Sequence, residues 1–324
     1  MPTVTLRNVE DAQVAIAPFV KATPLLRSSF LSSMCNAKVF LKLENQQVTG
    51  SFKPRGVFNR LLHLTADQRT RGVVTASAGN HGQAVAYAAK QLGFSATVVL
   101  PNGMPQVKVE GIRRYGAEVL IHGTFFDEAE EMAKEVAKNS GRTFVSAYND
   151  DLIVAGHGTL GLEIMEDLPD VQAIIVPVGG GGLIAGVAAA AKAKKPSLQV
   201  LGVQSEASPV MHDSLRAGRI VELQNPHART IAEGLFGGLE KDAITFKIVQ
   251  ERVDNVFVVE EESLRLAIRL LWEKEQQRVE GSAAASVALM LENKNLFAGQ
   301  TVVAVVTGGN IGEDLFQSIV FSEN

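Results

Sequence analysis

Only one cysteine, Cys35, occurs among 324 residues, so no intramolecular disulfide can form. Long apolar runs are missing as well, and none reaches the roughly 18 residues that a membrane span requires. Basic clusters are absent and the net charge is −4, which excludes the electrostatic footprint of a nucleic-acid binder. The six histidines are scattered without the spacing of a metal site, so no metal is expected. The opening residues, MPTVTLRNVEDAQ, are polar and acidic, unlike a signal or transit peptide. There is no internal repeat and no low-complexity segment. What these absences leave is a soluble, cytoplasmic globular chain.

What is present is a rhythm of apolar strands and helices. Residues 9–20 carry apolar groups at helical spacing, and KVFLKL at 38–43 alternates like a strand. From Gly72 the order is strand, helix, strand, helix through GVVTAS, a helix at 81–92, SATVVLP, a helix at 107–115, AEVLI and a charged helix at 127–137. A second run begins near Asp150. It contains a helix at 155–165, the strands AIIVPV, LQVLGV and VFVV, helices at 261–275 and 283–292, and TVVAVVT at 301–307. Strands that are apolar throughout imply sheets covered on both faces, joined by right-handed helical crossovers. The fold class is therefore α/β, with two parallel-sheet domains and a ligand cleft between them. Residues 1–70 plus 150–324 form the larger domain, and 71–149 a smaller inserted one.

Four stretches carry candidate chemistry. In LENQQVTGSFKPRG, Lys53 follows a strand and a Thr49-Gly50-Ser51 turn, with Pro54 preset for a helix start. A lysine there points its amine into a cleft at the positive end of a helix, where a lowered pKa would make it a nucleophile. Gly179, Gly180, Gly181 and Gly182 follow AIIVPV and open the next helix. Their exposed N–H groups suit an anion such as phosphate. The residues Ser77, Ala78, Gly79, Asn80 and His81 again lie between a strand end and a helix start, and suit a carboxylate. Thr307, in Thr307-Gly308-Gly309-Asn310, ends the last strand and offers a hydroxyl. A rival ligand is a dinucleotide, since Gly180-x-Gly182-x-x-Ala185 with Glu206 beyond the next strand fits a Rossmann fingerprint loosely. That alternative, a nicotinamide-dependent oxidoreductase, leaves the lysine turn without a role. An imine-forming lysine, a phosphate cradle, a carboxylate site and a strand-end hydroxyl together suit pyridoxal phosphate holding an amino acid.

In order, TPLLRS, LKLENQQVTGSFKPRG, SAGNHGQAVAYAA, AGHGTLGLEIMEDL, PVGGGGLIAG and TGGN resemble the fold-type II pyridoxal-phosphate enzymes, the family of tryptophan synthase β and threonine deaminase. Within it, the chain is most similar to serine/threonine dehydratases and serine racemases. The resemblance implies that Lys53 forms the Schiff base and serves as base at the substrate's Cα, with Phe52 packing beside the ring. It gives Gly179–Gly182 the cofactor phosphate, Asn80 the phenolic oxygen, Ser77–His81 the substrate carboxylate and Thr307 the pyridine nitrogen. Glu280, in VEGSAAA, matches a family position near the cofactor without a firm role. The activity implied is α,β-elimination of water from an L-3-hydroxy amino acid to a 2-oxo acid and ammonia, in a homo-oligomer. With TGGN near its end, the chain is expected to lack the regulatory domain of biosynthetic threonine deaminases.

Departures from the family pattern bear on the outcome. Similar racemases carry a second serine where Ala78 stands, and a methyl group transfers no proton. Their divalent-cation ligands align with Gln204 and Val210, which supports no such site here. Serine racemase is therefore the second reading. Phe125 stands where similar threonine deaminases have asparagine, His157 where they have glutamine, and Phe236 adds another apolar group. If these face the pocket, a bulkier or aromatic substrate such as phenylserine is implied; packing in the core is the competing expectation.

Overall fold

The computed structural model describes residues 4–321. Its strands are β1 (Leu25–Arg27), β2 (Lys38–Leu43), β3 (Val73–Ala76), β4 (Ala96–Leu100), β5 (Glu118–Ile121), β6 (Thr143–Phe144), β7 (Ala173–Pro177), β8 (Gln199–Ser205), β9 (Asn255–Val259) and β10 (Thr301–Val306). They form a six-stranded sheet in the order β1-β2-β10-β7-β8-β9 and a four-stranded sheet in the order β5-β4-β3-β6. Every pairing is parallel except that of β1 with β2, where Leu25 lies opposite Lys42. The two sheets of parallel strands are those expected of the fold class, with one antiparallel edge strand added. A strand of three residues, preceded by Pro24, is too short to show an apolar period.

The larger sheet is covered on both faces, as its apolar strands imply. Val39, Leu41, Leu43, Ile175, Val203, Val302, Ala304 and Val306 pack with the helices Ser29–Cys35, Glu261–Glu275, Gly281–Glu292 and Glu313–Val320. The alternate residues Ile174, Val176, Val200, Val303 and Val305 face the helices Leu6–Ile16, Asp151–Asp167, Gly182–Lys194 and Ile244–Arg252. This is the two-residue period of a strand read out on two cores. The first helix runs Leu6–Ile16 rather than 9–20, because Thr5 and Asn8 close a capping box at its start. Among the described residues no helix is long and apolar enough to cross a membrane.

The helix Lys53–Leu62 is tied to the body from below. Arg55, fully buried, meets Glu44 through Nε at 2.8 Å and Nη2 at 2.9 Å. It also meets Glu163 through Nη1 at 2.7 Å and Nη2 at 2.9 Å. Lys42, equally buried, pairs with Glu163 at 3.0 Å and Asp167 at 3.2 Å. Buried charges persist only when paired and hydrogen-bonded, as these are.

Candidate active site

The four candidate segments all follow the C-terminal ends of parallel strands: Lys53 beyond β2, Ser77–His81 beyond β3, Gly179–Gly182 beyond β7 and Thr307 beyond β10. Ligands of α/β sheets bind at such strand ends. Lys53 is the first residue of its helix, with Pro54 behind it. Its turn is stitched to the β10 loop by a bridge between Ser51 and Gly308, by Phe52 N donating to Thr307 O at 3.1 Å, and by Gly309 N donating to Gly50 O at 2.9 Å. Gly50 needs to be glycine twice over: its φ is +74°, and a Cβ there would lie 2.7 Å from Asn310 Oδ1.

The Lys53 amine donates to the Ala147 carbonyl at 3.1 Å and lies 5.0 Å from the centre of the Phe52 ring. Burial lowers its pKa to about 8, with the Glu280 carboxylate pulling the other way. Asn80 opens the helix Asn80–Leu92. Its Nδ2 donates to Glu280 Oε1 at 2.6 Å and its Oδ1 accepts from Asn310 Nδ2 at 2.7 Å. Burial pushes Glu280 up to about 7, against the Asn80 hydrogen bond. Gly308 lies against this pair, since a Cβ there would fall 2.5 Å from Glu280 Oε1. Ser77 accepts from Gly79 N at 3.2 Å, and Ser77, Ala78, Gly79 and Asn80 are all half-buried, with Ala78 packed against the core of the smaller sheet. His81 is buried. Its Nε2 lies 3.1 Å from Val145 O, and burial, then Lys53, lowers its pKa to about 3, so the ring is neutral.

In the glycine turn, Gly181 has φ +84° and Gly182 starts the helix Gly182–Lys194. A Cβ at Gly180 would meet the Tyr148 ring at 2.4 Å, and one at Gly179 would meet Gly234 O at 3.0 Å. Absence of side chains leaves the N–H groups at the helix end exposed to an anion.

Glu206 is engaged within its own fold. Its Oε1 accepts from Glu261 N at 3.1 Å and caps the helix Glu261–Glu275. Phe125 is 57% exposed, its ring 6.0 Å from that of His227, so it is not a core residue. Phe236 is half-buried. His157 is buried edge-on against Phe52 at 4.8 Å, and neither ring nitrogen has a hydrogen-bond partner. Gln204 binds its own loop, donating to Ser208 O at 3.2 Å and accepting from His212 N at 2.8 Å. The sequence left Tyr148 without a place and did not reveal that Asn80 pairs with Glu280 and Asn310. Tyr148 stands in no glycine-rich motif, and the others meet only across long separations.

Residues 16–308 match the family described as pyridoxal-phosphate dependent enzyme. The chain is 44% identical to an L-threonine ammonia-lyase of Thermotoga maritima over 98% of its own length and 78% of the relative's. It is 42% identical to a catabolic L-threonine dehydratase of Staphylococcus aureus, over 95% and 89% of the two chains. Among solved structures, a maize serine racemase superposes with TM-score 0.92 at 36% identity, covering 98% of this chain and 97% of the other. A T.th. threonine deaminase superposes with TM-score 0.88 at 39% identity, covering 95% and 99%.

Proposed function

Because this chain belongs to the pyridoxal-phosphate dependent enzyme family, we propose that it dehydrates L-3-hydroxy amino acids of the threonine and serine class to 2-oxo acids and ammonia. The observation that carries the reading is the Lys53 amine, brought to a pKa of about 8 in the same cleft as the glycine turn and the Asn80–Glu280 pair. The cofactor is pyridoxal 5′-phosphate, and the residues suit it: a turn that any Cβ would fill at Gly180, a lysine partly deprotonated near neutral pH, and an ordered carboxamide.

When bound, the cofactor supplies an aldehyde for covalent capture and a sink for the electron pair left at Cα. Lys53 would hold the cofactor through its amine and would accept the Cα proton. Gly179–Gly182 would hold the phosphate through their N–H groups and the dipole of their helix. Asn80 donates one Nδ2 hydrogen bond to Glu280, and its second N–H would serve the phenolic oxygen. The loop of Ser77–His81 would receive the substrate carboxylate, Phe52 would pack beside the cofactor, and Thr307 would offer it a neutral hydroxyl. The β-hydroxyl would leave as water with a proton equivalent to the one Lys53 took, giving an enamine. Its hydrolysis takes one water back, so the net products are the 2-oxo acid and ammonia.

The likeness to a serine racemase supports a second reading, against which Ala78 argues. Exposed Phe125 supports a third refinement, a larger β-substituent such as the phenyl of phenylserine. One assay separates them: L-serine, L-threonine and L-phenylserine offered singly, with 2-oxo acid scored against D-enantiomer. Predominant D-serine would overturn the dehydratase reading, and failure to turn over phenylserine would remove the aromatic refinement.

A further inference from the structure

The peptide Ala147–Tyr148 touches both halves of the site. Ala147 accepts from the Lys53 amine, while the Tyr148 ring lies against Gly180, where a Cβ would come within 2.4 Å of its Cγ and Cδ1. Tyr148 Cα and Cβ are also 3.1 Å from a Cβ placed at Gly182. Its hydroxyl accepts from Glu240 N at 2.9 Å. The next residue, Asn149, donates to Glu240 Oε2 at 2.9 Å and accepts from Ile244 N at 3.0 Å. Thr245, beside Ile244, donates to Gly180 O at 2.7 Å and so returns to the glycine turn. The contacts close a circuit from Tyr148 through Glu240 and Thr245 to Gly180 and back.

Consecutive glycines with a positive φ have unusual conformational freedom, and each residue that must be ordered on binding costs roughly 1–2 kcal/mol. We propose that Tyr148 is a positioning residue for the cofactor phosphate: its clamped ring presets the glycine turn so that the N–H groups converge before the anion arrives. Preorganisation of this kind raises affinity without adding a contact. The proposal rests on the cofactor reading above.

The test compares pyridoxal phosphate with pyridoxal, which has the aldehyde and no phosphate, by absorbance titration of the native protein, Tyr148→Ala and Tyr148→Phe. Tyr148→Ala should weaken pyridoxal phosphate by about tenfold or more, the ordering of at least one residue, and pyridoxal by less than about threefold. Tyr148→Phe keeps the ring and should recover most of the affinity. Tyr148→Leu replaces the alanine variant if that lacks native circular dichroism. In the Gly180→Ala background, which places a methyl group into the ring, Tyr148→Ala should regain affinity rather than lose it. Equal losses for both compounds, or none, would overturn the proposal. Failure of the native chain to bind either compound would overturn the cofactor reading and this role together.

Discussion

Asn80 and Glu280, 200 positions apart, share a 2.6 Å hydrogen bond between the first residue of one helix and the N-cap of another. The bond joins the loop after β3 of the smaller sheet to the start of the helix Gly281–Glu292, which packs on the larger sheet. It also places a carboxylate where it acts on Lys53.

That charge sets the first prediction. Below its pKa of about 8, Lys53 is an ammonium and cannot attack an aldehyde, so capture of pyridoxal phosphate should accelerate as pH rises through 8 and level off above. Glu280, with a pKa of about 7, is mostly ionised there and favours the ammonium. Glu280→Gln removes that help, so the midpoint should move to lower pH. Stopped-flow absorbance of imine formation reads both. An unmoved midpoint would show that Glu280 exerts no field on the amine.

A second prediction concerns stability. Glu163 resists the upward push of burial because Arg55 and then Lys42 hold its pKa below the ordinary carboxylate value. A depressed carboxylate contributes stability above the unfolded pKa, and that contribution is lost as pH falls through the folded one. Glu163→Ala takes one of two carboxylates from each buried cation, leaving Arg55 with Glu44 and Lys42 with Asp167, and should cost about 1–3 kcal/mol in urea unfolding. The variant's acid limb should also be flatter than the native one. A loss under 1 kcal/mol would mean that water already shields the cluster.

The strands were legible because β7, β8 and β10 carry apolar runs (AIIV, VLGV and VVAVV) that face both sides, as a doubly covered sheet requires. Lys53, the glycine turn, Ser77–His81 and Thr307 stood out as candidates because each sits in a contiguous motif at a strand end. Pairings were not legible. Whether Asn80 reaches Glu280, or Tyr148 reaches Gly180, depends on how the sheets are set against one another, which no local period encodes. β1 escaped for a different reason, being shorter than two periods of a strand. Phe125 misled in one respect, since apolar character alone favoured the core for a residue more than half exposed.

His157 gives a third prediction with an unusual sign. Both ring nitrogens are buried without a partner, and burial, then Lys53, keeps the ring neutral. An unsatisfied buried polar group costs about 1–3 kcal/mol, so His157→Leu should leave thermal stability unchanged or raise it. Gly56 and Gly182 bound the space, with Cβ positions 2.5 Å and 3.5 Å from the imidazole, so larger side chains should destabilise. Loss of more than about 1 kcal/mol in the leucine variant would reveal a water or other partner on the ring, the usual means of satisfying such a group.

The last prediction addresses reaction outcome. In the proposed reaction Lys53 takes the Cα proton from one side, and inversion requires a second acid on the other. Ala78, half-buried in the loop proposed for the carboxylate, ends in a methyl group that can neither give nor accept a proton. Elimination needs no such group, because the β-hydroxyl departs after a single proton is removed. Ala78→Ser restores a hydroxyl, and a positioned acid or base contributes about 10²–10⁴-fold, so even imperfect placement should raise D-serine relative to 2-oxo acid by about tenfold. Chiral chromatography with a keto-acid assay on the same samples gives the ratio directly. If the ratio does not move while Tm stays native, Ala78 does not face Cα opposite Lys53, and the preference for elimination must lie in how fast the β-hydroxyl leaves.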